Sequence, residues 1–110
     1  LILRGQGVGR NFASGTVCIA LTGGEAQSLR SGQILVARET DDSYMPVLGT
    51  AAAVITENSG LTSHAAIVGI ELGIPVVVGA EGATGRMASG QTVTVDALRG
   101  LIYSGRVAVY

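Results

Sequence analysis

His64 is the only histidine among 110 residues, and it stands in the run Gly60-Leu61-Thr62-Ser63-His64-Ala65-Ala66-Ile67. An imidazole titrates close to neutral pH and offers two distinct nitrogens, so it can pick up and pass on a proton or a phosphoryl group. A turn at Gly60 delivers Thr62, a preferred N-cap residue. Ala65, Ile67, Val68 and Leu72 then recur at roughly helical spacing until Gly73 and Pro75 stop the helix. This spacing predicts His64 at a helix start, where unpaired backbone N–H groups disfavour an imidazolium and attract an anion. Thr62 and Ser63 have hydroxyls to fix the imidazole tautomer or touch phosphate oxygens, and Gly60 leaves room for a donor to approach. A histidine that merely caps or packs a helix remains the alternative reading. An exposed helix terminus contributes only about 0.3–1 kcal/mol, so the driving force for phosphoryl transfer would come from a partner site with metal and cationic groups.

Other chemistries fit the chain less well. One histidine, one cysteine and no nearby carboxylate cluster cannot supply three or four convergent ligands, so no metal site is expected. Glu39, Asp41 and Asp42 read as the charge pattern of a helix start rather than as a magnesium site. Ser63 and His64 are adjacent and project differently, with no nucleophile elbow around them, which argues against a serine hydrolase. Cys18 lies in the strand-like run Thr16-Val17-Cys18-Ile19-Ala20-Leu21 and reads as a buried, inert thiol.

The elements that must position the histidine follow from the rest of the sequence. Nearly half of the residues (47%) are apolar and the formal charge is −1, as in an ordinary globular domain, and residues 1–110 are read as one domain. Scattered arginines with no lysine give no basic stripe for nucleic acid and no polybasic anchor for a membrane. No apolar run approaches the roughly 20 residues that span a bilayer, and no secretory signal opens the chain, so a cytoplasmic setting is expected. The alternating glycines of Leu3 to Arg10 are read as a turn, because a strand rather than a helix follows them. Strands are expected over Thr16–Leu21, Gln33–Ala37, Ala52–Thr56, Val76–Val78 and Gln91–Val95, and then a meander through Leu101–Tyr103 and Val107–Val109. Gly23-Gly24 is read as a break, Glu25–Leu29 as one or two helical turns, and Thr40-Asp41-Asp42 as the cap of a short helix through Leu48, with Pro46 in its first turn. The fold class is therefore α/β, with short helices on one sheet and a second sheet covering its other face. The abrupt start at Leu1 suggests a domain cut from a longer chain.

The histidine run, together with Glu71-Leu72-Gly73-Ile74-Pro75-Val76-Val77-Val78-Gly79, resembles the mobile phosphohistidine domain of phosphoenolpyruvate-utilising enzymes. Thr40-Asp41, Pro46, the strand Ala51 to Glu57 and the region Gly7 to Gly15 share the likeness, which covers essentially the whole chain. The ending Thr94 to Arg106 and the segment Val68 to Gly73 are similar to the extra C-terminal domain of certain bacterial pyruvate kinases. The resemblance implies a swivelling three-layer β/β/α domain with mixed sheets and short helices, in which His64 matches the phosphoryl-carrying histidine. Carriers of this type often have arginines where Leu61 and Ile70 stand here. Arginine binds phosphate through paired hydrogen bonds that an apolar side chain cannot make, so Leu61 and Ile70 become candidates for docking on a neighbouring domain.

Two functions are consistent with that resemblance. One is a tethered regulatory or structural module of a pyruvate kinase; the other is a phosphoryl carrier relaying phosphate through His64 in an enzyme of dikinase or synthase type. For a pyruvate kinase parent the resemblance implies magnesium and potassium, held in domains preceding Leu1 and not by this chain. It also implies a homo-oligomeric parent and an isolated domain without activity.

Overall fold

Ile34–Ala37, Ala53–Thr56 and Val76–Val78 are buried at every position, as strands must be when both faces of their sheet are covered. A computed structural model describes residues 1–58 and 64–106 of the chain. Among these residues the strands are β1 (Leu3–Arg4), β2 (Gln6–Val8), β3 (Phe12–Ile19), β4 (Ile34–Ala37), β5 (Ala53–Thr56), β6 (Val76–Val78), β7 (Thr92–Asp96) and β8 (Leu101–Ser104). They join in the order β1-β8-β7-β3-β4-β5-β6-β2. The helices are α1 (Gly23–Ala26), α2 (Met45–Leu48), α3 (His64–Leu72) and α4 (Ala83–Arg86), and a 3₁₀ turn over Asp42–Tyr44 leads into α2.

The strands β3 to β6 run parallel, and their side chains alternate between two cores. Leu35, Ala37, Val54, Val76 and Val78 pack with Ala26, Val47, Leu48, Ala65, Ala66 and Val68 from the helices. Ile34, Val36, Ala53, Ile55 and Val77 pack instead with Val93, Val95 and Ile102 of β7 and β8. This is the expected three-layer β/β/α stacking, and β3 links its two sheets. Residues Phe12 to Thr16 pair antiparallel with β7, whereas Val17 to Ile19 pair parallel with β4. Gly15 lies just before the change of partner, where a Cβ would strike the Gly32 carbonyl oxygen. No helix among the described residues is long and apolar enough to cross a membrane.

Several local expectations are corrected. The glycine-rich start is not a turn: β1 pairs antiparallel with β8 and β2 with β6. Its glycines serve close backbone approach, since a Cβ on Gly7 would collide with the Ala97 carbonyl. Gly23-Gly24 does not break the chain but opens α1. There Thr22 Oγ1 accepts from the Glu25 N–H at 3.1 Å, and Glu25 Oε2 accepts from the Leu21 N–H at 2.9 Å, an arrangement close to a capping box. Gly23 packs against Ser43, leaving no room for a side chain. Strand β3 begins at Phe12, and α4 has no counterpart among the expected elements. Cys18 is buried, with Sγ 3.9 Å from Ser28 Oγ, as its strand setting suggested. The expected strand Val107–Val109 and the proposed cap Thr62 lie outside the described residues.

A candidate site of hydroxyl, imidazole and carboxylate

Because β4 and β5 are adjacent and parallel, the segments leaving their C-terminal ends emerge side by side, the usual location of sites in such sheets. The segment after β4 carries Thr40, Asp41 and Asp42; the segment after β5 leads to α3, described from His64 onward. Thr40 and His64, far apart in sequence, meet here, with Thr40 Oγ1 2.8 Å from His64 Nδ1. Thr40 is only 2% exposed, so this contact fixes one edge of the ring from the protein side. The other nitrogen, Nε2, lies 3.4 Å from Asp42 Oδ1, with the His64 side chain 26% exposed and that of Asp42 99% exposed.

The two neighbouring acids have separate tasks. Asp41 caps the 3₁₀ turn: its Oδ1 accepts the Ser43 N–H at 2.8 Å and also the Ser43 hydroxyl. The Ser43 hydroxyl and backbone bonds hold the Asp41 carboxyl below its ordinary value, with His64 adding a smaller attraction against the opposing effect of burial. This is the helix-start role the sequence suggested. Asp42 has the helix-start position too, but its carboxylate faces His64. The turn is pinned from below by Tyr44, which is buried and donates its hydroxyl to the Ala20 carbonyl at 3.0 Å. Burial, then Asp41 and Glu25, push that phenol above its ordinary value, so it remains a donor.

The packing of α3 also departs from the spacing argument. Its buried residues are Ala65, Ala66, Val68 and Gly69, a small-residue face that lets the helix lie close to the sheet. A Cβ on Gly69 would run into the Val76 side chain. Ile67 and Leu72, which the apolar spacing groups with Ala65 and Val68, are each 47% exposed, and Ile70 is 66% exposed. Ile67 stands one turn beyond His64, and Ile70 another turn on, so an apolar ridge continues from the imidazole along the helix. Ile70, the docking candidate, is among the most exposed apolar residues described. Its companion Leu61 and the phosphate-supporting candidates Gly60, Thr62 and Ser63 lie outside the described residues. Thr40 is the hydroxyl seen at the ring. The resemblance at Thr40-Asp41 marked that segment, while capping logic alone assigned it to a helix start.

The chemistry available is limited by access. A hydroxyl, an imidazole and a carboxylate occur in the order of a hydrolase triad, but Thr40 is buried and its hydroxyl cannot reach a substrate. With Nδ1 taken by Thr40, Nε2 is the nitrogen left to face solvent or a phosphoryl donor. The charged neighbour that the structure gives this atom is an anion. Among the described residues no group of three or more histidine, cysteine or acidic side chains could hold a metal ion.

Parallel strands that project a histidine at the first described position of a helix, beside a buried threonine, define a class. Residues 29–100 match the family model described as PEP-utilising enzyme, mobile domain, and the chain belongs to that family. It is 49% identical over 110 residues to a pyruvate kinase of Bacillus licheniformis, covering 99% of this chain and 19% of that protein. It is also 44% identical over 108 residues to a phosphoenolpyruvate synthase of Aeropyrum pernix, covering 97% of this chain and 13% of that one. The chain therefore spans about a fifth or less of the curated relatives it matches. Among solved structures, Enzyme I superposes with a TM-score of 0.62 at 30% identity, over 72% of this chain and 33% of that one. Aconitase X of Thermococcus kodakaraensis shares the fold, with a TM-score of 0.72 at 21% identity over 94% of this chain and 98% of that one.

Proposed function

We propose that this chain is the C-terminal mobile domain of a pyruvate kinase and acts there as a tethered regulatory or structural module that retains the histidine motif. The observation that carries this reading is the Asp42 carboxylate 3.4 Å from His64 Nε2. A phosphoryl group on that nitrogen would bring its negative charge against a carboxylate, the reverse of the cationic setting that stabilises phosphate. The similarity to pyruvate kinases over nearly the whole chain supports the identity of the parent. In that parent, magnesium and potassium would be bound by the preceding domains. The partners are then the preceding domains of a cytoplasmic, homo-oligomeric enzyme, met through the ridge of Ile67 and Ile70 and through Leu61. The 110-residue chain alone should not turn over phosphoenolpyruvate and ADP. Deleting residues 1–110 from the parent should alter its stability, assembly or effector response; a parent unchanged in all of these overturns the module reading.

The bond between Thr40 and Nδ1 favours a second reading, because it leaves Nε2 as the outward nitrogen that a carrier would use. The similarity to a phosphoenolpyruvate synthase points the same way. Labelled phosphoenolpyruvate given to the parent should then leave acid-labile label on wild type and none on His64→Ala.

A further inference from the structure

The geometry points to Asp42 as a positioning residue that holds the proton of His64 on Nε2 and so withholds that nitrogen from phosphoryl donors. The inference deepens the module reading, since it supplies a reason why a retained histidine stays silent. Three observations carry it. First, the ring has a partner on each nitrogen: Thr40 Oγ1 at Nδ1 and Asp42 Oδ1 near Nε2. Second, the partners differ in kind, because a hydroxyl can donate or accept whereas an ionised carboxylate only accepts. Thr40 therefore tolerates either neutral tautomer. Asp42 favours the one that turns an N–H towards it and opposes the one that turns a lone pair towards it. The contact of 3.4 Å is longer than an ordinary hydrogen bond and acts through charge. Third, the Asp42 side chain is 99% exposed, so among the described residues only the contact with His64 meets it, and a cationic surface can draw it away.

The consequence for reactivity follows from the electron pairs. A nitrogen attacks phosphorus with its lone pair, and in the tautomer selected by Asp42 the lone pair is on Nδ1. Thr40 donates its hydroxyl there and buries that edge of the ring. The Nε2 lone pair becomes free when the proton moves to Nδ1, with Thr40 then accepting. From that tautomer, reaction with phosphoramidate forms the Nε2–P bond as the donor's P–N bond breaks, and ammonia leaves with the bonding pair. The proton stays on Nδ1 until solvent removes it. Since the rate scales with the fraction of competent tautomer, Asp42 acts as a brake of moderate strength that a partner can release.

The test uses the 110-residue chain, whose single histidine gives one unambiguous set of imidazole ¹⁵N signals. At neutral pH the wild type should show the neutral ring mainly as Nε2–H, and Asp42→Asn should move it towards Nδ1–H. Phosphoramidate should label Nε2 roughly three- to tenfold faster in Asp42→Asn than in wild type. Glu39→Gln removes the same charge from an exposed neighbouring position and should leave the rate within about twofold. A wild type found mainly as Nδ1–H, equal labelling of wild type and Asp42→Asn, or an equal acceleration by Glu39→Gln would each overturn the inference. The module reading fails separately: acid-labile label from phosphoenolpyruvate on the wild-type parent would sink it and leave the tautomer preference of this chain standing.

Discussion

Two adjacent parallel strands each lead to an acidic residue, and the two acids are used in opposite ways. Glu57 directly follows β5, and its Oε2 accepts both the backbone N–H of Thr84 at 2.8 Å and the Thr84 hydroxyl at 2.6 Å. That carboxylate is committed: it ties the end of β5 to α4, whose Ala83 packs in the core between the sheets. Asp42, beyond β4, makes no comparable tie to backbone among the described residues and faces an imidazole at longer range. Pairing with a hydroxyl therefore does not mark a site in this fold. What separates the two is whether the acid's oxygens are occupied by the chain's own N–H groups or left to face a titratable ring.

The largest effect should come from breaking the committed acid. Glu57→Ala leaves the Thr84 donors without their acceptor and should lower unfolding free energy by about 2 kcal/mol, measured from denaturant midpoints at neutral pH. That loss should also depend on pH. The Thr84 hydroxyl, then its backbone N–H, with a contribution from Arg38, hold the Glu57 carboxyl below its ordinary value against the opposing effect of burial. Such a group stabilises the fold above its unfolded pKa and ceases to do so as pH falls through the lowered folded value. The gap between wild type and Glu57→Ala should therefore be widest at neutral pH and close in acid. Thr40→Val should cost about 1 kcal/mol by removing the hydroxyl that Nδ1 bonds, while the imidazole ¹⁵N signals should still show mainly Nε2–H, the tautomer set by Asp42. Asp42→Asn should change stability by less than about 0.5 kcal/mol, as expected of an exposed pair. A loss for Asp42→Asn as large as that for Glu57→Ala would erase the contrast.

The parallel core was legible because covered strands must be apolar throughout: Ile34 to Ala37, Ala53 to Thr56 and Val76 to Val78 announce themselves without help from periodicity. Strands β1 and β2 were not legible. They are only two and three residues long, contain or adjoin glycine, and are fixed by partners some seventy or more residues away along the chain, so local propensity has little to act on. In α3 the helix was read correctly and its buried face was not. Spacing groups Ile67 and Leu72 with Ala65 and Val68, but the close approach of helix to sheet favours small side chains, and the two larger ones stay exposed. His64 is the first described residue of α3, and the cap expected at Thr62 lies outside the described residues. The hydroxyl that meets the ring was missed because Thr40 reaches it only through the pairing of β4 with β5, a contact no local window contains.

The opening strands have one further consequence. β1 and β2 are separated by a single residue, Gly5, yet they occupy the two outer edges of the strand order. One short ribbon therefore clasps both margins of the molecule, covering β8 with one half and β6 with the other. Peeling it back would bare two rows of unsatisfied amides at once and invite self-association. It would also remove one of the joints between the two sheets, the peptide link at Gly5, and leave the continuous strand β3 to hold their mutual alignment.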